Sequence, residues 1–209
     1  MTRPLVVTDC DEVLLHMVRH FRDWMAHEHG VSFPLEGNPF AQPMTFPGRS
    51  EPLGYEEKWV FLDRFFDSEM SRQTAIDGAV AAIAELRREA DVVVLTNLAD
   101  RYNAARAEQL RGHGIDVPVF TNQGPKGPAL QRIVERYRPS RAVFVDDLAH
   151  HHASAAETVP DIARLHLCGE PAISQHIECA ARSGHAHARI DRWDEALPWL
   201  LERLHGDRR

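Results

Sequence analysis

Short apolar runs alternate with longer helical patterns along most of this chain. Runs of four to six residues, most of them rich in β-branched side chains, are typical of strands and occur at Leu5–Thr8, Val92–Leu95, Val117–Phe120, Ala142–Val145 and Ile162–Leu167. Because most of these runs are apolar at consecutive positions, they favour strands that are covered on both faces. We therefore predict a buried parallel sheet.

The intervals between the runs carry the periodicity of amphipathic helices. Helices are predicted at Gly78–Glu89, Ala99–His113, Pro128–Tyr137, Ala149–Glu157 and Trp193–Leu204. Strands that alternate with helices in this way are the pattern of an α/β fold, a doubly wound parallel sheet with helices on both faces.

This alternation breaks between the first and second predicted strands. Residues 16–74 hold ten of the sixteen aromatic residues, with helical patterns at His16–His29 and Glu51–Ser71 around an irregular centre at Phe33–Pro52. We interpret this interval as a small helical subdomain inserted into the α/β domain. The predicted α/β core then comprises residues 1–15 and 75–209.

The composition limits the class of protein. The 209 residues are 44% hydrophobic and 26% charged, as in ordinary soluble globular proteins, and the net charge of −7 lacks the basic footprint of a general nucleic-acid binder. No apolar run is long enough to span a membrane, and the amino-terminal residues turn acidic too early for a signal peptide. Three cysteines without paired spacing suit a reducing compartment. We therefore expect a cytoplasmic protein.

Polar side chains of several kinds follow the predicted strands where their carboxyl ends should meet. They are Asp9, Asp11, Thr96, Asn97, Lys126, Asp146 and Asp147. Each feature alone is commonly a turn, a helix cap or a solvated lysine. Open α/β sheets bind ligands at this edge, so their joint occurrence in this order favours one shared active site.

This set of residues suits phosphoryl transfer. Clustered carboxylates repel one another and stay ionised only beside a cation, and oxygen ligands favour Mg²⁺. An amine, a hydroxyl and backbone N–H groups can hold phosphate oxygens. A second carboxylate two residues after the first can move protons to and from the reacting oxygens.

The chain resembles the haloacid dehalogenase (HAD) superfamily in four motifs: Val-Val-Thr-Asp9-Cys-Asp11-Glu-Val13, Val-Val-Leu-Thr96-Asn97, Lys126, and Phe-Val-Asp146-Asp147. The similarity covers the predicted core, and the inserted segment stands where the superfamily places its helical C1 cap. Glu12 stands where many members have glycine. The resemblance implies a Rossmann-like core.

The resemblance also implies a role for each residue. Asp9 would be the nucleophile that forms an aspartyl-phosphate, and Asp11 the general acid/base. Thr96, Asn97 and Lys126 would bind the phosphoryl group. Mg²⁺ would be held by Asp9, the main-chain carbonyl of Asp11, Asp146 and, directly or through water, Asp147.

The expected activity is therefore Mg²⁺-dependent hydrolysis of a small phosphorylated metabolite. The acid at position 11 favours a phosphatase over a dehalogenase, which usually lacks it. A phosphomutase, a nucleotidase and a catalytically weak phospho-ligand-binding protein remain as alternatives. Receiver domains of two-component signalling share these residue types, but in them the lysine comes last, whereas here Lys126 precedes the acidic pair.

Five histidines lie close to these motifs in the sequence, and we considered whether they belong to the same site. His150, His151 and His152 cannot all face one site from consecutive helical positions, so we interpret them as a surface cluster at a helix start. We expect His16 and His20 to contact the hinge of the inserted segment or the substrate.

Overall fold

A six-stranded, all-parallel sheet forms the centre of the computed structural model, which describes residues 2–35 and 43–206. The strands run in the spatial order β3-β2-β1-β4-β5-β6. Their bounds are β1 Leu5–Thr8, β2 Asp91–Asn97, β3 Val119–Asn122, β4 Ala142–Asp146, β5 Ala163–His166 and β6 Ala188–Arg189. The predicted doubly wound parallel sheet is confirmed.

Four of the five predicted strands lie where expected, and the third is displaced. It begins two residues late, at Val119, directly after Pro118. Proline has no N–H to donate to a strand ladder, although its carbonyl accepts a hydrogen bond from the Val94 N–H at 2.9 Å. The short edge strand β6 was not predicted, since two residues carry no readable alternation.

Eight α-helices lie between the strands or follow the last one, within the described residues. They are α1 Val18–His29, α2 Tyr55–Ser68, α3 Ala79–Glu89, α4 Asn103–Gly112, α5 Gly127–Tyr137, α6 Ala149–Thr158, α7 Pro171–Ser174 and α8 Trp193–His205. The predicted helices are present with ends shifted by a few residues, and the one-turn helix α7 was not predicted. None of the helices in these residues has the length and apolar content needed to cross a membrane.

Each face of the sheet has its own apolar core. Alternate residues of a strand point to opposite faces, so Val6 packs beneath α3 and α8, whereas Val7 packs beneath α5. Trp193 of α8 is buried and donates a hydrogen bond from its indole N–H to the carbonyl of Val13 at 2.8 Å. This contact fixes the turn that follows β1.

Helices α1 and α2 lie between β1 and α3 in the chain and share a third apolar cluster. Phe21 packs edge-on against Phe33 and Phe65, and the cluster extends to Leu98 and Tyr102 beyond β2. The division of the chain at residues 16–74 stays a prediction. The central part of the predicted irregular segment, including Phe40, lies outside the described residues.

Candidate active site

Three carboxylates meet where β1 and β4 end. The two strands are neighbours in register, with Thr8 opposite Val145, and the Asp9 N–H continues the ladder by donating to the Val145 carbonyl at 2.8 Å. Asp146 ends β4 and Asp147 follows it, so one ligand oxygen from each aspartate lies within 4.8 Å of the others. The sequence expectation that the two acidic motifs share one location agrees with this geometry.

Lys126 places a buried amine between two of these carboxylates. Its Nζ lies 2.7 Å from Asp9 Oδ1 and 2.7 Å from Asp146 Oδ2, and its side chain has no exposed surface. The lysine directly precedes α5, whose first residue, Gly127, is pressed against α6. A Cβ atom on Gly127 would lie 2.4 Å from the Ser154 carbonyl oxygen, so only glycine fits here. The close contact between the two helices therefore sets the position of the amine.

Three carboxyl groups share one ammonium in this cluster. Burial, with the nearby Asp146 charge, raises the pKa of Asp9 to about 7, and burial raises the pKa of Asp147 well above its usual range. Burial also acts to raise the pKa of Asp146, but the charge and hydrogen bond of Lys126, with smaller contributions from His151 and His152, together outweigh it and lower the pKa. When all three carboxylates are ionised, one ammonium leaves two negative charges unpaired, and an all-oxygen donor set of this spacing fits a hard divalent cation such as Mg²⁺.

Thr96 and Asn97 end β2, the strand next to β1. Thr96 is buried, and the Asn97 side-chain N–H₂ donates to the Gly124 carbonyl at 2.9 Å and lies 3.3 Å from His151 Nε2. Burial lowers the pKa of His151 to about 4, so this ring is neutral and can accept from the amide. The residues expected to bind phosphate thus lie at the same edge of the sheet as the carboxylates.

The predicted surface cluster of histidines is wrong for two of its three members. His150 is exposed, but His151 and His152 are buried against the site. His152 Nε2 lies 2.9 Å from the Asp146 carbonyl oxygen, and its ring stacks on His166 of β5. The helix directs these two side chains toward the sheet. Because histidine is polar, the pattern of apolar positions did not indicate that they are buried.

Asp11 does not join the carboxylate cluster. Arg106 of α4 donates from Nη2 to both of its carboxylate oxygens, at 2.9 and 3.0 Å, and Gln73 donates from Nε2 at 3.2 Å. The Arg106 side chain is fully buried and also lies over the Phe66 ring. Asp11 therefore stands on the wall of the site, beside its own cation.

Sequence reasoning missed the network behind Asp11. Arg106 also donates from Nη1 to the side-chain oxygens of Gln109, at 3.0 Å, and Gln73, at 3.3 Å, and Gln109 donates to the Met70 carbonyl. A signal was present, since Arg106 and Gln109 share a helix face with the buried Leu110. Polar residues on an apolar helix face require buried partners.

Glu12 has a left-handed backbone, with φ of 59°. Its Oε1 accepts hydrogen bonds from the N–H groups of Met17, at 2.9 Å, and Val18, at 2.6 Å, and so caps α1. Glutamate thus occupies a conformation that favours glycine, and its side chain holds the first turn of α1.

Glu170 was not singled out from the sequence. It caps α7 and lies 3.0 Å from His16 Nδ1 and 2.5 Å from Arg19 Nε. These contacts tie the start of α1 to the loop beyond β5. His20, in contrast, contacts Thr74 at 3.0 Å.

Sequence comparison identifies no relative of this chain: no protein-family model matches it, and no curated protein matches it. Comparison with solved structures gives full-length similarities at low identity. A conserved haloacid dehalogenase-like protein of unknown function from Agrobacterium tumefaciens has a TM-score of 0.69 at 17% identity, covering 97% of this chain and 99% of that one.

Two further structures extend this similarity. A HAD family hydrolase from Deinococcus radiodurans, with bound phosphate and sodium, has a TM-score of 0.67 at 18% identity, covering 98% of this chain and 97% of that one. A predicted phosphoglycolate phosphatase from Haemophilus somnus has a TM-score of 0.67 at 13% identity, covering 96% and 99%. The chain therefore has the fold of the haloacid dehalogenase superfamily, as the sequence motifs predict.

Proposed function

We propose that this protein is a Mg²⁺-dependent phosphatase that hydrolyses a small phosphomonoester through an aspartyl-phosphate intermediate. The observation that supports this most is the grouping of Asp9, Asp146 and Asp147 within 4.8 Å around the amine of Lys126. The similarity in fold to HAD hydrolases, among them a predicted phosphatase and a phosphate-bound protein, agrees with the proposal.

In the proposed reaction, Asp9 is the nucleophile and Asp11 moves the protons. A carboxylate oxygen of Asp9 attacks phosphorus, the bond to the leaving oxygen breaks, and Asp11 protonates that oxygen. Asp11 then takes a proton from water, which attacks phosphorus and releases phosphate with Asp9 restored. Lys126, with the hydroxyl of Thr96 and the main-chain N–H of Asn97, would hold phosphate oxygens, and Asp9, Asp146 and Asp147 would hold Mg²⁺. The bound ion would offset the negative charge of the phosphate and the carboxylates.

The proposal is tested by trapping the intermediate. Protein mixed with substrate and Mg²⁺ is quenched in acid and reduced with borohydride, which converts an aspartyl-phosphate to homoserine. We expect homoserine at position 9 by mass spectrometry and a loss of turnover of about 10⁴-fold or more in Asp9→Asn. Full turnover in Asp9→Asn, or turnover without any divalent cation, would contradict the mechanism.

A second candidate function, a phospho-ligand-binding protein with little turnover, is favoured by the contacts of Asp11. Both of its oxygens already accept hydrogen bonds from buried donors. Proton transfer to a leaving group requires that Asp11 give up at least one of these contacts. Thermal stabilisation by phosphate esters without phosphate release would identify the binder.

A further inference from the structure

A cleft of about 420 Å³ lies between α2 and the loops that follow β2 and β3. Its volume is in the range of small-molecule sites. Apolar and aromatic side chains form much of its wall: Trp59, Leu62, Phe66, Leu98, Ala99 and Tyr102. It is separate from another cavity of about 340 Å³ at the opposite edge of the sheet, near Arg3 and Val92.

The cleft adjoins the candidate active site. Asn97 forms part of its wall, and β2, which ends at Asn97, is the direct neighbour of β1. Adjacent strands lie about 4.8 Å apart, so a group bound against β2 and β3 lies roughly 5–10 Å from the end of β1. This distance suits the organic part of an ester whose phosphate is bound beside Asp9.

The cleft wall offers little charge to a ligand. Among the described residues that line it, Asp63 alone is charged, and its carboxylate is already paired with Arg101 and accepts from the Tyr102 hydroxyl at 3.1 Å. A charged organic group therefore finds no unpaired countercharge on this wall.

Two of the three side-chain amides of the wall, those of Asn97 and Asn122, bond to the protein itself, and the third, Gln123, is exposed. Asn122 donates from Nδ2 to Asn97 Oδ1 at 2.8 Å and to the Gly124 carbonyl at 3.0 Å, and Asn97 donates to the same carbonyl. The donors of both amides are thus engaged, and a polyol would gain few hydrogen bonds for the water that it gives up.

An aromatic surface stands open at the mouth. Trp59 is 50% exposed, although it lines the cleft, and it packs edge-on against Tyr55 with ring centroids 5.8 Å apart. An exposed aromatic side chain beside an apolar wall offers further apolar contact to a ligand bound in the cleft.

We propose that this cleft binds the organic part of the substrate, and that this part is a flat, largely apolar ring rather than a polyol or a charged chain. The inference rests on the proposed phosphatase function, for which the ester supplies the phosphate. Trp59 is the side chain on which the ring would pack, in the offset or edge-on geometry of aromatic pairs.

The test compares 2-phenylethyl phosphate with glycerol 3-phosphate. Both are primary alkyl esters, so the leaving oxygens are chemically similar and the organic group is the main difference. We expect kcat/KM to favour 2-phenylethyl phosphate by about tenfold or more, as one well-formed aromatic contact provides. Trp59→Ala should lower that preference about tenfold, and Trp59→Phe should keep most of it.

Val60→Ala is the matched control, because Val60 is an exposed apolar residue of the same helix that does not line the cleft. It should leave the preference unchanged. Equal kcat/KM for the two esters in the wild-type protein, or a preference that Trp59→Ala leaves intact, would overturn the inference.

Calorimetric titration of the two esters with Mg²⁺ present, in an Asp9→Asn background that blocks turnover, separates this inference from the proposed function. If the wild-type protein hydrolyses neither ester, the proposed function fails, but tighter binding of 2-phenylethyl phosphate that is weakened in Trp59→Ala still supports the ring site. Binding of 2-phenylethyl phosphate that is absent, or no tighter than that of glycerol 3-phosphate, overturns the ring site whatever the turnover.

Discussion

Within residues 2–35 and 43–206, two groups of three buried residues could each hold a metal ion, and both lie near the turn after β1. One comprises Asp9, Asp146 and Asp147, and the other Glu12, His16 and Glu170. Within each group, one ligand atom per residue lies within 4.8 Å of the others. Spacing alone does not distinguish the two groups, although the first offers only carboxylate oxygens and the second includes a histidine nitrogen.

Their hydrogen bonds do. In the first group, one amine serves two of three carboxylates, so negative charge remains unpaired. In the second, Glu12 caps α1, and Glu170 binds Arg19 and accepts from the Ala172 N–H at 3.1 Å. The second group therefore ties the start of α1 to the loop after β5, whereas the first has a carboxylate for which Lys126 supplies no contact, which makes the first group the better candidate for a metal site.

The largest expected difference between the groups is in turnover. Asp146→Asn should lower kcat about 10³-fold and weaken Mg²⁺ binding, because it removes a ligand and a partner of Lys126. Glu170→Gln should change kcat less than about threefold. Steady-state kinetics with Mg²⁺ titration measures both, and equal losses in the two variants would show that the groups act as one site.

The next difference is in stability. Lys126→Met leaves two buried aspartates without their cation and should lower the free energy of unfolding by about 3–5 kcal/mol in the absence of divalent ions. Added Mg²⁺ should restore part of the loss by binding the folded state. Arg19→Met in the second group should cost less than about 1 kcal/mol, because its side chain is 40% exposed and screened by water. Urea unfolding compares the two, and a larger loss in Arg19→Met would reverse their ranking.

The smallest expected difference is in how stability depends on pH in the acid range. Burial acts to raise the pKa of Glu170, but the hydrogen bonds from His16 and Arg19 outweigh it and lower the pKa from 4.5 to about 2. A lowered pKa contributes stability above pH 4.5 that is lost as the pH falls toward 2. Glu170→Gln should cost about 1–3 kcal/mol at pH 7 and flatten the stability profile between pH 4.5 and 2. Glu157→Gln, at an exposed position, should leave that profile unchanged, and a Glu170→Gln profile as steep as wild type would refute the assignment.

Apolar runs were enough to predict most of the sheet. Four strands were predicted correctly, because strands buried on both faces need apolar residues at consecutive positions. Once the sheet was predicted to be parallel, the motifs at the carboxyl ends of its strands could be expected to lie close together. The third strand was predicted two residues too early, because its apolar run begins before Pro118. Proline has no N–H to donate, and the strand begins after it, at Val119.

The polar parts of the interior could not be predicted in the same way. Arg106, Glu170 and His151 are buried because each finds a partner from a distant part of the chain, and a local pattern does not show that partner. Lys126 was found only through its motif, since nothing in its neighbours indicates burial.

Gly127 has a consequence for the rest of the molecule. Its backbone touches Ser154 and Thr158 on the adjoining helix, with no space for even one added carbon. Helix α6 therefore acts on the candidate site in two places, through His151 and His152 near its start and through this contact near its end. A shift of α6 at this contact would move the start of α5 and, with it, the Lys126 ammonium, so the packing of these two helices controls the geometry of the candidate site.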